Sequence, residues 1–154
     1  MIQRIQTVYL LIIVALLSAM FFFPLGMLQS ADALYMFDVS GMRDLQAAPD
    51  QELMYPTWAL FALTAVMVFV SFITIFLYKN RILQIRLSVF NAILMICFYA
   101  LFAFYIWTIK TTVPVELHIK FALSFPLVSL IFDYLAIRNI GADEVLVRSL
   151  DRLR

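Results

Sequence analysis

Long apolar runs alternate with short polar breaks along this chain. Runs without a charged residue extend from Ile5 to Ala31, from Leu53 to Tyr78 and from Leu87 to Ile109, each longer than the about 20 residues a helix needs to cross bilayer hydrocarbon. A further apolar stretch, Phe121 to Ile137, is broken by Asp133. Pro114 suits the first turn of a helix and Glu116 the positive end of its dipole, so the pattern predicts a fourth span between Pro114 and Asn139. The expected fold is an all-α membrane protein, one domain over residues 1–154. It is a four-transmembrane-helix bundle with spans at about 7–28, 56–78, 87–109 and 114–139.

Two details refine that outline. Pro126 stands inside the expected fourth span and deprives the Ala122 carbonyl of its partner, which predicts a kink unless Ser124 or Ser129 compensates. After Gly141, a natural helix stop, the tail 140–154 restarts with Asp143 and Glu144 in its first turn. Leu146, Leu150 and Leu153 fall on one face, and Arg148 and Arg152 on another. The expectation is a short amphipathic C-terminal helix that lies on anionic lipid or docks on a partner protein. In the one long connection, Gln29 to Glu52, the stretch Leu34 to Val39 followed by Ser40-Gly41 reads as a short hairpin, a membrane-lying flap or a solvated linker.

Composition supports the membrane reading. Hydrophobic residues make up 65% of the chain and charged ones 14%, where soluble domains carry about a quarter. Lys and Arg set the orientation: Arg4, Lys79, Arg81, Arg86, Arg138, Arg148, Arg152 and Arg154 fall on one side, against Arg43, Lys110 and Lys120 on the other. Both termini are therefore expected in the cytoplasm. Trp58 and Trp107 then meet at the outer interface, with Tyr9, Tyr78 and Tyr134 toward the inner one. Arg4, the run Val8 to Phe23 and the Ala31-Asp32-Ala33 site also fit a secretory signal. The run exceeds the roughly 7–15 residues of a signal core, however, so a retained span is expected.

Chemistry is sparse. The chain has one Cys and one His, which leaves no disulfide framework, multi-cysteine metal site or bis-histidine haem within one chain; no cofactor is expected. H-E-x-x-H, G-x-S-x-G, C-x-x-C and Gly-rich phosphate loops are all missing, so an enzyme is the poorest class. A net charge of +1 gives no drive toward nucleic acid. Cys97 reads as an inert mid-span hydrophobe and His118 as an exposed imidazole. The informative group is Asp133, which with Asn91 and Thr74 makes an intramembrane polar cluster at one depth, with Arg86 and Arg138 as charge partners. Such a carboxylate costs at least about 2.5–3.5 kcal/mol in hydrocarbon without a partner. The cluster is either a packing clamp or a proton or cation site.

The two ends carry a resemblance. Gln3, Arg4 and Gln6 in the opening M-I-Q-R-I-Q-T, and Asp143, Glu144, Arg148, Ser149, Asp151, Arg152 and Arg154 in the tail, resemble a Bacteroidetes family of small four-span integral membrane proteins without an assigned function. The resemblance implies a cytoplasmic-membrane location and no established activity. The expected role is a noncatalytic accessory or scaffold protein, its partners the lipid bilayer and a protein at the cytoplasmic face. Its working surface there is Gln3, Arg4, Gln6, Asp143, Glu144, Arg148, Asp151 and Arg152. The alternative is a small transporter or ion-coupled carrier using Asp133 and Asn91.

Overall fold

The computed structural model describes residues 2–30, 33–45, 55–78, 80–112 and 114–151. It contains four helices, α1 (Ile2–Ala19), α2 (Trp58–Phe76), α3 (Arg81–Thr112) and α4 (Phe125–Asp151), and five short strands. The strands are β1 (Gly26–Gln29), β2 (Leu34–Phe37), β3 (Gly41–Asp44), β4 (Tyr55–Pro56) and β5 (Glu116–Ile119). Each helix packs on two others, α1 and α3 both lying against α2 and α4. Their alternating direction puts the sheet at one end and both chain ends at the other.

The helices share one packing rule. Buried positions run Gln6, Leu10, Ile13, Leu17, Met20 from α1 into the following turn, Leu60, Thr64, Met67, Ser71, Thr74 on α2, and Gln84, Ser88, Asn91, Met95, Phe98, Phe102 on α3. Ala122, Pro126, Ser129, Asp133, Ala136 and Ile140 continue the rule into and along α4. Steps of four and three alternate on every helix, the 3.5-residue repeat that keeps one seam facing its neighbours in a supercoiled bundle. Residues off the seams are large and apolar on the outside, among them Val8, Leu11, Phe69, Phe72, Phe104 and Ile131. A surface of that kind suits lipid rather than water. Among the described residues three helices are long and apolar enough to cross a membrane: α2, α3 and Phe121–Asp143, the 3-10 turn with most of α4.

The first expected span ends earlier, and the fourth begins later, than the sequence suggests. α1 ends at Ala19, and the residues expected to complete its span form a turn and then β1. Its 18 residues rise about 27 Å, just under the roughly 30 Å hydrocarbon core. Residues 114–120 are not helical: Glu116–Ile119 is a strand, a 3-10 turn follows at Phe121–Ser124, and α4 starts only at Phe125. The chain is accordingly not all-α. The connections α1–α2 and α3–α4 join in one antiparallel sheet of order β4-β3-β2-β1-β5, with Gly26 opposite Phe37 on one side and Ile119 on the other.

Local chemistry explains the sheet. Val115 to Lys120 alternates apolar and polar residues, the period of a strand and not of a helix. β2 alternates buried Tyr35 and Phe37 with half-buried Leu34 and Met36, and its inner face packs on the end of α3, with Phe37 edge-on to Phe102 at 5.7 Å. The β2–β3 turn is the hairpin that Ser40-Gly41 signals. Asp38 Oδ1 accepts from the Ser40 and Gly41 amides at 2.8 and 2.9 Å, and Oδ2 faces Arg43 at 3.7 Å. Gly26 is needed where β1 meets β5, because a Cβ there would sit 3.3 Å from the His118 carbonyl. Thr57, preceding α2, donates to the Val39 carbonyl at 3.1 Å and fastens helix to sheet.

Pro126 produces no mid-helix kink, because it falls in the first turn of α4, where a missing N–H costs least. Nor does Ser124 or Ser129 supply the compensation: Ser124 donates to Phe121 O, while the Tyr99 hydroxyl of α3 donates to the Leu123 carbonyl at 2.8 Å and accepts from the Leu127 amide at 3.0 Å. One phenol thus bridges two backbone groups that an unbroken helix would join directly. At the other end α4 passes through Gly141 without stopping, so the tail is a continuation of α4 and not a separate amphipathic helix.

Candidate functional site

Cross-helix contacts align the seams in layers. Asn91 on α3 meets Ser71 on α2, Ser88 on α3 stands beside Asp133 on α4, and Tyr99 reaches Leu123. Near the sheet the layers are apolar, built from Leu17, Met20, Leu60, Phe98 and Phe102. Toward the chain ends they turn polar, with Gln6 from α1, Ser71 and Thr74 from α2, Gln84, Ser88 and Asn91 from α3, and Ser129 and Asp133 from α4, all buried. The polar groups of the core therefore concentrate toward the end away from the sheet, where every helix contributes to a polar box.

Within the box some groups are tied and others are not. Asn91 Nδ2 donates to Ser71 Oγ at 2.8 Å, and Ser71 in turn donates to its own helix at Met67 O, 2.8 Å away. Thr74 donates to Val70 O at 2.7 Å, and its carbonyl accepts from Gln84 Nε2 at 3.2 Å. Among the described residues of the box, Gln6 Nε2, Asn91 Oδ1, Ser129 Oγ and Asp133 Oδ2 are buried without a hydrogen-bond partner, while the Ser88 hydroxyl stands against the Asp133 carboxyl. Asp133 is 1% exposed, and among the described residues it forms no ion pair. Buried polar atoms without partners are rare in folded proteins, and a carboxyl among them marks the one place in this core where charge chemistry is available.

The structure brings Asp133, Asn91 and Thr74 into that box but leaves out the expected charge partners. Arg86 lies two positions off the Gln84–Ser88 seam and Arg138 two off the Ala136–Ile140 seam, so both are exposed. Gln6 is in the core at 5% exposure instead of on an interaction surface, because it starts the α1 seam. Asp143 is half-buried and pairs with Arg81 at 3.1 Å, tying the extension of α4 to the start of α3. The side chains of Gln3, Arg4, Glu144, Arg148 and Asp151, and Arg152 altogether, lie outside the described residues. Cys97 is exposed on the outer face of α3 rather than buried, and His118 is exposed on β5.

Ser71, Gln84, Ser88, Ser129 and Tyr99 are the residues that reading the sequence missed. Their signal was available as spacing: Thr64, Met67, Ser71, Thr74 and Gln84, Ser88, Asn91, Met95 each step by three and four. Among the described residues no three His, Cys, Asp or Glu side chains gather as a metal site would require.

A protein-family model described as a domain of unknown function, DUF4293, matches residues 2–153 of the chain. No curated protein matches it.

Proposed function

The chain belongs to the DUF4293 family, a domain of unknown function, and from that premise we propose that it is a noncatalytic accessory or scaffold protein of a bacterial inner membrane. In this reading it spans the membrane four times, with both ends and its working surface in the cytoplasm. The resemblance of its termini to Bacteroidetes proteins supports the bacterial assignment. α1 counts as a span because its seam packs against α2 and α4 and its outward face, Val8 and Leu11, is apolar and exposed. The Lys and Arg bias supports the orientation.

One observation carries the working surface. Ile140 is the last buried position described on α4, and the helix continues to Asp151, about 16 Å further. The Arg81–Asp143 pair braces that arm near its root. A braced helix projecting from a membrane bundle has its ordering cost met in advance and offers a partner a rigid edge. Crosslinking in cells, followed by purification in mild detergent, should recover a stoichiometric protein partner with the full chain and lose it when residues 144–154 are deleted. Recovery of the same partner without the arm would move the working surface elsewhere; absence of any stoichiometric partner would remove the scaffold reading.

A second reading, an ion-coupled carrier, is favoured by the Asp133 box alone. Asn91 Oδ1, Ser129 Oγ and Asp133 Oδ2 are unpartnered oxygens among the described residues, the ligand type that hard cations and hydronium take.

A further inference from the structure

A groove opens on the side of the molecule where α1 passes the turn between α2 and α3. It encloses about 310 Å³ and is lined by Gln6, Tyr78, Arg81 and Gln84 together with Val8 and Leu11. Its chemistry changes along the helix axis. Tyr78 and Arg81 stand at the end of the bundle, Gln6 level with them, and Leu11 lies five residues further along α1, about 7 Å deeper.

The polar end is rich in donors. Gln6 is 5% exposed and its Nε2 has no acceptor. Arg81 is held in place by Asp143, which engages NH1 through both its carboxylate and its carbonyl, at 3.1 and 3.3 Å. A guanidinium carries five N–H donors, so the pair at NH1 positions it without exhausting it. The deep end offers only hydrocarbon, with Val8 53% and Leu11 58% exposed. A soluble anion would satisfy the donors and leave that wall uncovered. An amphiphile with an acceptor-rich, negative head and an acyl chain would meet both halves at once.

We propose that this groove is a lipid site, which holds one phospholipid of the adjacent leaflet by an anionic head group at Arg81 and Gln6, with its chain along Val8 and Leu11. The proposal rests on the chain lying in a bilayer and on neither reading of its function. Basic pockets at the ends of membrane helices are where such head groups bind, and each basic residue contributes enough to change affinity about fivefold.

The test uses the full chain in mild detergent, titrated with phosphatidylglycerol, phosphatidylcholine or inorganic phosphate. Thermal unfolding and native mass spectrometry are the readouts. One phosphatidylglycerol should be retained and raise the unfolding midpoint, phosphatidylcholine should bind about fivefold more weakly, and inorganic phosphate should do nothing. Arg81→Gln and Gln6→Leu should each erase the preference for phosphatidylglycerol. Asp143→Asn breaks the same ion pair as Arg81→Gln but leaves the guanidinium, and should keep the preference. Equal binding of the two lipids, a shift from inorganic phosphate alone, or loss of the preference in Asp143→Asn as fully as in Arg81→Gln would overturn the proposal. Should Arg81→Gln fail to fold, Gln6→Leu and the head-group series decide the matter.

Discussion

Tyr99 and Asn91 illustrate how differently two cross-helix hydrogen bonds count in hydrocarbon. Tyr99 satisfies a backbone carbonyl and a backbone amide that have no water to turn to, midway along α3. Asn91 donates to a serine whose own hydroxyl hydrogen is already engaged at Met67. Removing the first strands two backbone groups, one part-buried and one on the exposed face, at roughly 1–3 kcal/mol where lipid rather than water surrounds them; removing the second forfeits about 0.6 kcal/mol, the average for such bonds between membrane helices. Tyr99→Phe should therefore lower the thermal midpoint in detergent clearly more than Asn91→Ser does, and the exposed Tyr134→Phe should leave it unchanged. The reverse order would mean that the proline break in α4 is satisfied some other way. Asp133→Asn keeps size and hydrogen-bonding capacity while removing a charge that is expensive at this depth, so the protein should stay folded and retain its cellular phenotype. A folded Asp133→Asn protein with the phenotype of a deletion would instead promote the carrier reading.

At the scale of elements, α4 and the outer sheet differ in what their glycines do. Gly26 is held by close approach to the His118 carbonyl. Gly141 has no atom within 4 Å of the Cβ it lacks and lies in continuous helix. Gly141→Ala should accordingly stabilise the protein by about 0.5–1 kcal/mol, the helix-propensity difference, raising the thermal midpoint without altering lipid or partner binding. A loss of stability would show that α4 bends at Gly141 during function. The same continuity decides what the tail is. Read as an isolated segment after a glycine, it would have to nucleate a new helix; as an extension of α4 it only propagates one, which costs far less.

The whole molecule pairs a sheet-capped apolar half with a polar half at the chain ends, and orientation follows from charge alone. A reporter active only in the cytoplasm should work when fused after Arg154 or placed between Tyr78 and Arg81, and one active only outside should work in the β2–β3 turn at Ser40-Gly41. Signal from the cytoplasmic reporter at the hairpin would invert the molecule and move the Asp133 box, the α4 arm and the lipid groove to the other leaflet together.

Membrane character, the existence and rough centres of α2 and α3, and the depth of Asp133 near Asn91 were legible along the chain, because length, hydropathy and the placement of charge are local quantities. The hairpin at Asp38 to Gly41 was half legible through its turn residues. β5 was legible in principle: Val115 to Lys120 alternates with a period of two, but Pro114 and Glu116 imitate a helix start, and the competing signal prevailed. Only the tertiary structure decided which polar residues share a core. A helix shows the same residues from every side until its neighbours choose a face, and here packing chose seams that enclose Ser88, Ser129 and Gln6 while turning Arg86 and Arg138 outward. It also decided where α1 stops and α4 starts, because a strand forms only when another strand lies beside it, and β1 finds its partners at β2 and, across most of the chain, at β5.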